Sequence, residues 1–247
     1  MQVYLSPHLD DVCFSIGHRA SRLGGELVNL FTRSRWVAAK MDLPADDAAR
    51  TDFVSRLRGE EDQRFAEAAE LVRHDLGLRE APLVGHGPFD LTDLDADVSA
   101  LSASLLPYLL AILPSDSGPD AASLYCPMGI GKHRDHIATL LAVREAYDAL
   151  RHRCTVFLYE DLHYASGPHA RDVGLQRAGE IFAGSRLQPI VEELQPQQAQ
   201  RKMQWIGFYA SQHPGPPRAA DFTPASGMVT GLHEIVWRVS APGTVQA

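Results

Sequence analysis

The chain has no apolar run near the ~20 residues that a membrane-spanning helix needs, no internal repeat and no low-complexity tract. Cysteine is scarce. Cys13, Cys126 and Cys154 are odd in number, far apart and set in apolar stretches, which argues against a disulfide framework and suits buried thiols in a reducing compartment. The N-terminus has no basic segment leading into an apolar stretch and a small-residue cleavage site, so export is not expected and a cytoplasmic protein is. No basic stripe offsets the net charge of -8, which argues against nucleic acid or an anionic membrane surface as partner. A glycine fingerprint is also missing after the first apolar stretch, and the GIGK at 129–132 lacks the spacing and the Ser/Thr of a phosphate-binding P-loop.

What is present is an ordinary globular composition, 45% hydrophobic and 22% charged, in 247 residues. That length fits a single domain spanning 1–247. Strand-like runs at 2–5, 26–32, 123–126, 154–159, 187–194 and 228–239 alternate with helical patterns at 11–23, 50–76, 91–113, 136–150 and 196–211. Gly77 reads as the glycine that ends the second helix. Irregular stretches are expected at 34–49, 85–88, 114–120, 167–169 and 212–224. Strands separated by helices predict an α/β fold with a mostly parallel sheet and helices on both faces.

In such a sheet, ligands meet the chain just past the carboxyl ends of the strands. Two clusters fall there. Ser6-Pro7-His8-Leu9-Asp10-Asp11 follows the first strand, and His133-Arg134-Asp135-His136 follows the third. A single aspartate at such a junction is explained by helix capping. Capping does not explain a histidine ahead of paired aspartates, nor two histidines around an aspartate. His8 and Asp11 are three apart, as are His133 and His136, so each pair projects to one side of a turn entering a helix. Imidazole and carboxylate suit a catalytic zinc, which takes three protein ligands and leaves a position open. His8, Asp11 and one histidine of the second pair would make that set. Asp10 is then free to act as general base and the other histidine to stabilise an oxyanion.

At these residues the chain resembles the PIG-L/LmbE-like family of zinc-dependent N-deacetylases, whose motifs read His-Pro-Asp-Asp-Glu after the first strand and His-x-Asp-His later. The counterparts here are His8-Leu9-Asp10-Asp11-Val12 and His133-Arg134-Asp135-His136. Weaker resemblance runs through RLRGEED, through Tyr159-Glu160-Asp161, through KMQWIGFYASQ ending at Ser211 and Gln212, and through LHEIVWR. It implies a Rossmann-like three-layer α/β sandwich and removal of an acyl group, acetyl above all, from the nitrogen of an amino sugar or its conjugate. By the resemblance His8, Asp11 and His136 hold Zn²⁺ or another divalent ion, Asp10 is the base, and His133 stabilises the oxyanion or acts as acid. Asp135 would orient an imidazole, and Arg58 would contact substrate. Leu9, Val12, the Ile16-Gly17-His18 step and Tyr209 depart from the pattern and bear on the substrate more than on the reaction.

Arg33, Arg35 and Trp36 occupy the loop after the second strand, where they would hold sugar hydroxyls or an acidic appendage; an ordinary exposed loop is the plain alternative. His163 and Tyr164 lie after a later strand, within reach of the mouth of a site. The expected partner is a small N-acetylated amino sugar or conjugate, and a homo-oligomer is compatible with the sequence. The rival readings are a nucleotide-binding Rossmann-like module and a zinc-binding partner protein without catalysis.

Overall fold

The computed structural model describes residues 1–115 and 118–240. Among them seven strands form one sheet in the order β3-β2-β1-β4-β5-β7-β6. β1 (Gln2–Ser6), β2 (Gly25–Asn29), β3 (Leu71–Asp75), β4 (Ser123–Pro127) and β5 (Thr155–Tyr159) run parallel, and β7 (His233–Ser240) is antiparallel to β5 and to β6 (Arg186–Glu193). The connecting helices are α1 (Asp11–Leu23), α2 (Asp47–Ala68), α3 (Leu94–Ile112), α4 (Arg134–Leu150), α5 (Pro168–Ile181) and α6 (Pro196–Ile206). This is the mostly parallel α/β architecture that the alternating pattern predicts.

The central strands are buried on both faces, which is why they read as continuous apolar runs. Tyr4, Tyr125 and Phe157 lie side by side in register on β1, β4 and β5. Their rings stack at 4.8 and 5.1 Å between centroids, the offset geometry that aromatic quadrupoles favour. The Tyr159 hydroxyl donates to the Leu5 carbonyl at 2.9 Å. β1 and β4 thus sit together at the centre, with β2 and β3 wound to one side and β5 to the other. The point where the winding reverses is where α/β sheets take their ligands.

Four sequence expectations are corrected. The helix expected over 50–76 ends at Ala68, and Leu71–Asp75 is the edge strand β3; Glu70, at φ 56, makes the reversal, so Gly77 follows a strand instead of closing a helix. An edge strand half open to solvent carries too little alternation to stand out from the helical pattern before it. The helix expected over 196–211 stops at Ile206. α5 was not expected, because Gly174 interrupts its pattern; a Cβ there would lie 2.5 Å from Ile130, so close packing demands the glycine. Finally, α3 is long and apolar enough to cross a membrane by length and composition, although no such run was anticipated. Here Val98, Leu101, Leu105 and Leu109 face the core and Asp95 and Asp97 occupy its first turn. Of the loop expected at 114–120, residues 116 and 117 lie outside the described residues. All three cysteines are buried and free.

α1 is broken at Ile16, whose φ of -134° and ψ of 29° are not helical. The break strands the Ser15 carbonyl and the amides of the turn that follows. A buried ion pair takes up both. Lys202 Nζ donates to the Ser15 carbonyl at 3.0 Å and to Glu234 at 2.8 Å, while the Glu234 carboxylate accepts from the amides of His18 at 2.9 Å and Arg19 at 2.8 Å. Lys202 and Glu234 belong to the two late motifs of the sequence. They serve the backbone of the first helix, whose opening turn carries Asp10 and Asp11.

Candidate active site

The first cluster leaves β1 at its carboxyl end. Asp10 stands at the helix start but its carboxylate makes no capping bond, and Asp11 Oδ2 accepts from the His8 amide at 2.7 Å. The second cluster opens α4, where the cap is the His133 ring, whose Nδ1 accepts from the Asp135 amide at 3.3 Å. Simple aspartate capping is therefore not what these carboxylates do.

The two clusters, more than a hundred residues apart, meet across the β1–β4 seam. His136 Nε2 lies 3.1 Å from His8 Nδ1 and 3.2 Å from Asp11 Oδ2, and His8 Nδ1 lies 3.4 Å from Asp11 Oδ2. The outward nitrogens are held by carboxylates. Asp135 Oδ2 is 2.9 Å from His8 Nε2, and Asp161 Oδ1 is 2.7 Å from His136 Nδ1. An ionised carboxylate only accepts, so it fixes the ring proton on the nitrogen facing it. With both rings neutral, three lone-pair atoms are then turned toward one another, and a proton or a cation has to lie between them. That donor set fits a divalent cation with an imidazole–imidazole–carboxylate preference. Ring nitrogens of His8, His133 and His136 also lie within 4.8 Å of one another, a looser set than the triangle closed by Asp11.

Electrostatics follow from this crowding. Burial opposes charge on His8, yet Asp11 and Asp135 outweigh it and hold its pKa well above the ordinary value. For His136 burial is likewise outweighed, by Asp11 and Asp161, and its pKa rises to about 9. Burial disfavours the Asp11 carboxylate, but His136 and His8 pull its pKa well down. His133 is pushed the other way, by burial first and then by the two neighbouring imidazoles. Asp10 is raised by burial, partly offset by Arg58.

These groups line a cavity of about 570 Å³. Arg58, expected to contact substrate, lines it too, but its guanidinium is engaged by Glu80 at 2.5 Å, by the Ser34 hydroxyl at 2.9 Å and by Asp10 at 3.4 Å. Arg33 pairs with Asp52 and Arg35 with Asp47 outside the cavity; of these three residues Trp36 alone lines it. Tyr209 is buried with its hydroxyl on Asp62 at 2.8 Å and is part of the frame. His163 and Tyr164 are among the residues that line the cavity. In the GIGK loop the Ile130 amide donates to Asp161 Oδ2 at 2.9 Å, and the Gly131 Cα faces the Tyr164 ring so closely that a Cβ would lie 2.3 Å from it. No phosphate cradle forms there.

Two participants were not picked out from the sequence. Asp161 appeared only within a weakly resembling tripeptide, although it follows β5 at its carboxyl end, the criterion that located the other clusters. Glu80 stands in a loop after a strand that the helical pattern concealed.

The chain has the fold of solved deacetylases. It is 20% identical to the A40926 pseudoaglycone deacetylase Dbv21, with a TM-score of 0.65 over 97% of both chains. With the zinc-inhibited form of the teicoplanin deacetylase Orf2 it shares 20% identity and a TM-score of 0.68, over 98% of this chain and 99% of that one. A deacetylase–teicoplanin complex matches with 18% identity and a TM-score of 0.71 over 98% of both. No family model and no curated protein sequence matches the chain.

Proposed function

We propose that this protein is a metal-dependent amide hydrolase that removes an acyl group, acetyl above all, from the nitrogen of an amino sugar or amino-sugar conjugate. The observation that carries the reading is the 3.1–3.4 Å triangle of His8 Nδ1, Asp11 Oδ2 and His136 Nε2 beside the Asp10 carboxylate, which stands outside the triangle with Arg58 at 3.4 Å. His8, Asp11 and His136 would hold a divalent ion, zinc foremost. When bound, such an ion supplies Lewis acidity, acidifying water and polarising a carbonyl. Asp10 takes the proton of the attacking water as its oxygen bonds to the amide carbon. His133 accepts at Nδ1 from the helix amide, so its neutral ring carries its hydrogen at Nε2, free to donate to the oxyanion. The C–N bond then breaks, and the proton held by Asp10 passes to the nitrogen, giving carboxylic acid and amine. Asp135 and Asp161 hold the two ligand rings in the required tautomers.

The similar solved structures, deacetylases of teicoplanin and of the A40926 pseudoaglycone, support a conjugate over a bare sugar. We place the protein in the cytoplasm as one domain. The test is elemental analysis coupled to acetate release from N-acetylglucosamine glycosides. His8→Ala and His136→Ala are expected to lose metal and turnover together, and Asp10→Asn to keep metal and lose turnover. Equal metal content in all three proteins overturns the ligand assignment.

A further inference from the structure

We propose that Trp36 and Phe89 form an aromatic rim that receives an apolar, ring-bearing aglycone without negative charge, and so set which conjugates the cavity accepts. The inference rests on the reading above only for the position of the sugar.

Both residues line the cavity and both are open, Trp36 at 54% and Phe89 at 58% exposed. Large exposed rings on mobile loops would carry little meaning; these are held. The Phe89 loop is clamped by Arg134, which is wholly buried. The Arg134 amide donates to the Pro88 carbonyl at 2.7 Å, and its guanidinium to the carbonyls of Asp90 at 2.6 Å and Thr92 at 2.7 Å and to Asp97 at 2.6 Å. Arg134 directly follows His133, and the Phe89 ring stands edge-on to the His133 ring at 5.7 Å. The platform is thereby fixed relative to the reacting atoms. The Trp36 loop is pinned on its own side: the amides of Ala38 and Ala39 donate to the Ser211 carbonyl, and Ser211 is in turn held by Glu61 through its amide and hydroxyl. A rigid aromatic surface binds a flat or apolar face with little ordering loss.

Charge sets the rest of the selection. Among the charged groups of the lining, Arg58 is shared by Glu80 and Asp10, Asp221 is paired with Arg218, and Asp11 faces the His8 and His136 rings. The nearby Arg33 and Arg35 are taken by Asp52 and Asp47. An anionic appendage at the rim finds each of these guanidiniums already on a carboxylate and gains no new ion pair to offset its loss of water.

The test uses the metal-loaded protein and three glucosamine β-glycosides, methyl, phenyl and 4-carboxyphenyl, which as deacylated amines are not consumed. Calorimetric titration is expected to show the phenyl glycoside binding about fivefold to tenfold tighter than the methyl one, the range of a good aromatic contact. Trp36→Ala and Phe89→Ala should each remove most of that gain without weakening the methyl glycoside, Trp36→Phe should retain it, and the carboxyphenyl glycoside should bind no tighter than methyl. Unchanged thermal melts confirm that the variants fold. Equal binding of phenyl and methyl glycosides, no binding of either, a gain that survives both substitutions, or tight binding of the carboxyphenyl glycoside overturns the proposal. Acetate release from the N-acetylated phenyl and methyl glycosides separates the two claims: a phenyl gain without hydrolysis leaves the rim and removes the hydrolase, and hydrolysis without a phenyl gain does the reverse.

Discussion

Two regions of this molecule bury charge, and they do it in opposite ways. At the break in α1, Lys202 and Glu234 face each other and supply backbone groups around them: the ammonium takes a carbonyl and the carboxylate takes two amides. At the β1–β4 seam, His8, Asp11 and His136 crowd three acceptor atoms together, while Asp135 and Asp161 hold the ring protons on the far side. The first cluster is complete within the chain and cross-links a helix to the antiparallel end of the sheet. The second leaves acceptor atoms that a proton or a bound cation has to bridge. Satisfied buried polar groups stabilise a fold, whereas groups left short of one partner mark a place where something binds.

Mutation sharpens this contrast. The largest effect is expected from Asp10→Asn, with acetate release falling about 10²- to 10⁴-fold, the range of a general base, while metal content and melting stay as in the parent. Next, Lys202→Met leaves the Glu234 charge buried and unpaired, so urea unfolding should show a loss of about 3 to 5 kcal/mol with metal stoichiometry retained in whatever folds. A comparable stability loss from His8→Ala in the metal-free protein would erase the distinction. Asp161→Asn and Asp135→Asn act through the rings they orient and should weaken metal affinity about 10- to 100-fold, read by competition with a chelator. The smallest effect belongs to Ser15→Ala, which removes the hydroxyl accepting from the Leu162 amide at 3.0 Å. Its cost is about 1 to 2 kcal/mol from a buried donor left unmade.

The same contrast explains what could be read from the sequence. Both site clusters stood out because several polar residues followed an apolar strand where one cap would suffice, and β1, β4 and β5 stood out because burial on both faces leaves uninterrupted apolar runs. β3 did not, since an edge strand with Val72 at 55% exposure mixes with the helical pattern of α2. Asp161 meets His136 only because β5 lies beside β4 in register, Pro127 against Tyr159; local spacing carries no trace of that pairing. The Lys202–Glu234 strut was equally hidden. Its purpose follows from a helix break at Ile16, and a break of that kind has no proline or glycine pair to announce it. Arg58 was legible as a residue near the site but not in its company: Glu80, which accepts from its Nη1, sits in a loop whose position depends on β3.

The opening turn of α4 sends four successive side chains to four destinations: His133 into the cavity, Arg134 outward to the carbonyls of the Phe89 loop, Asp135 to His8 and His136 to Asp11 and Asp161. Each residue along a helix is rotated by about 100° from the last, so inserting or deleting one position here would misdirect all four at once. Length variation is therefore closed to this turn, and new specificity has to be introduced by exchanging side chains on the loops that face it.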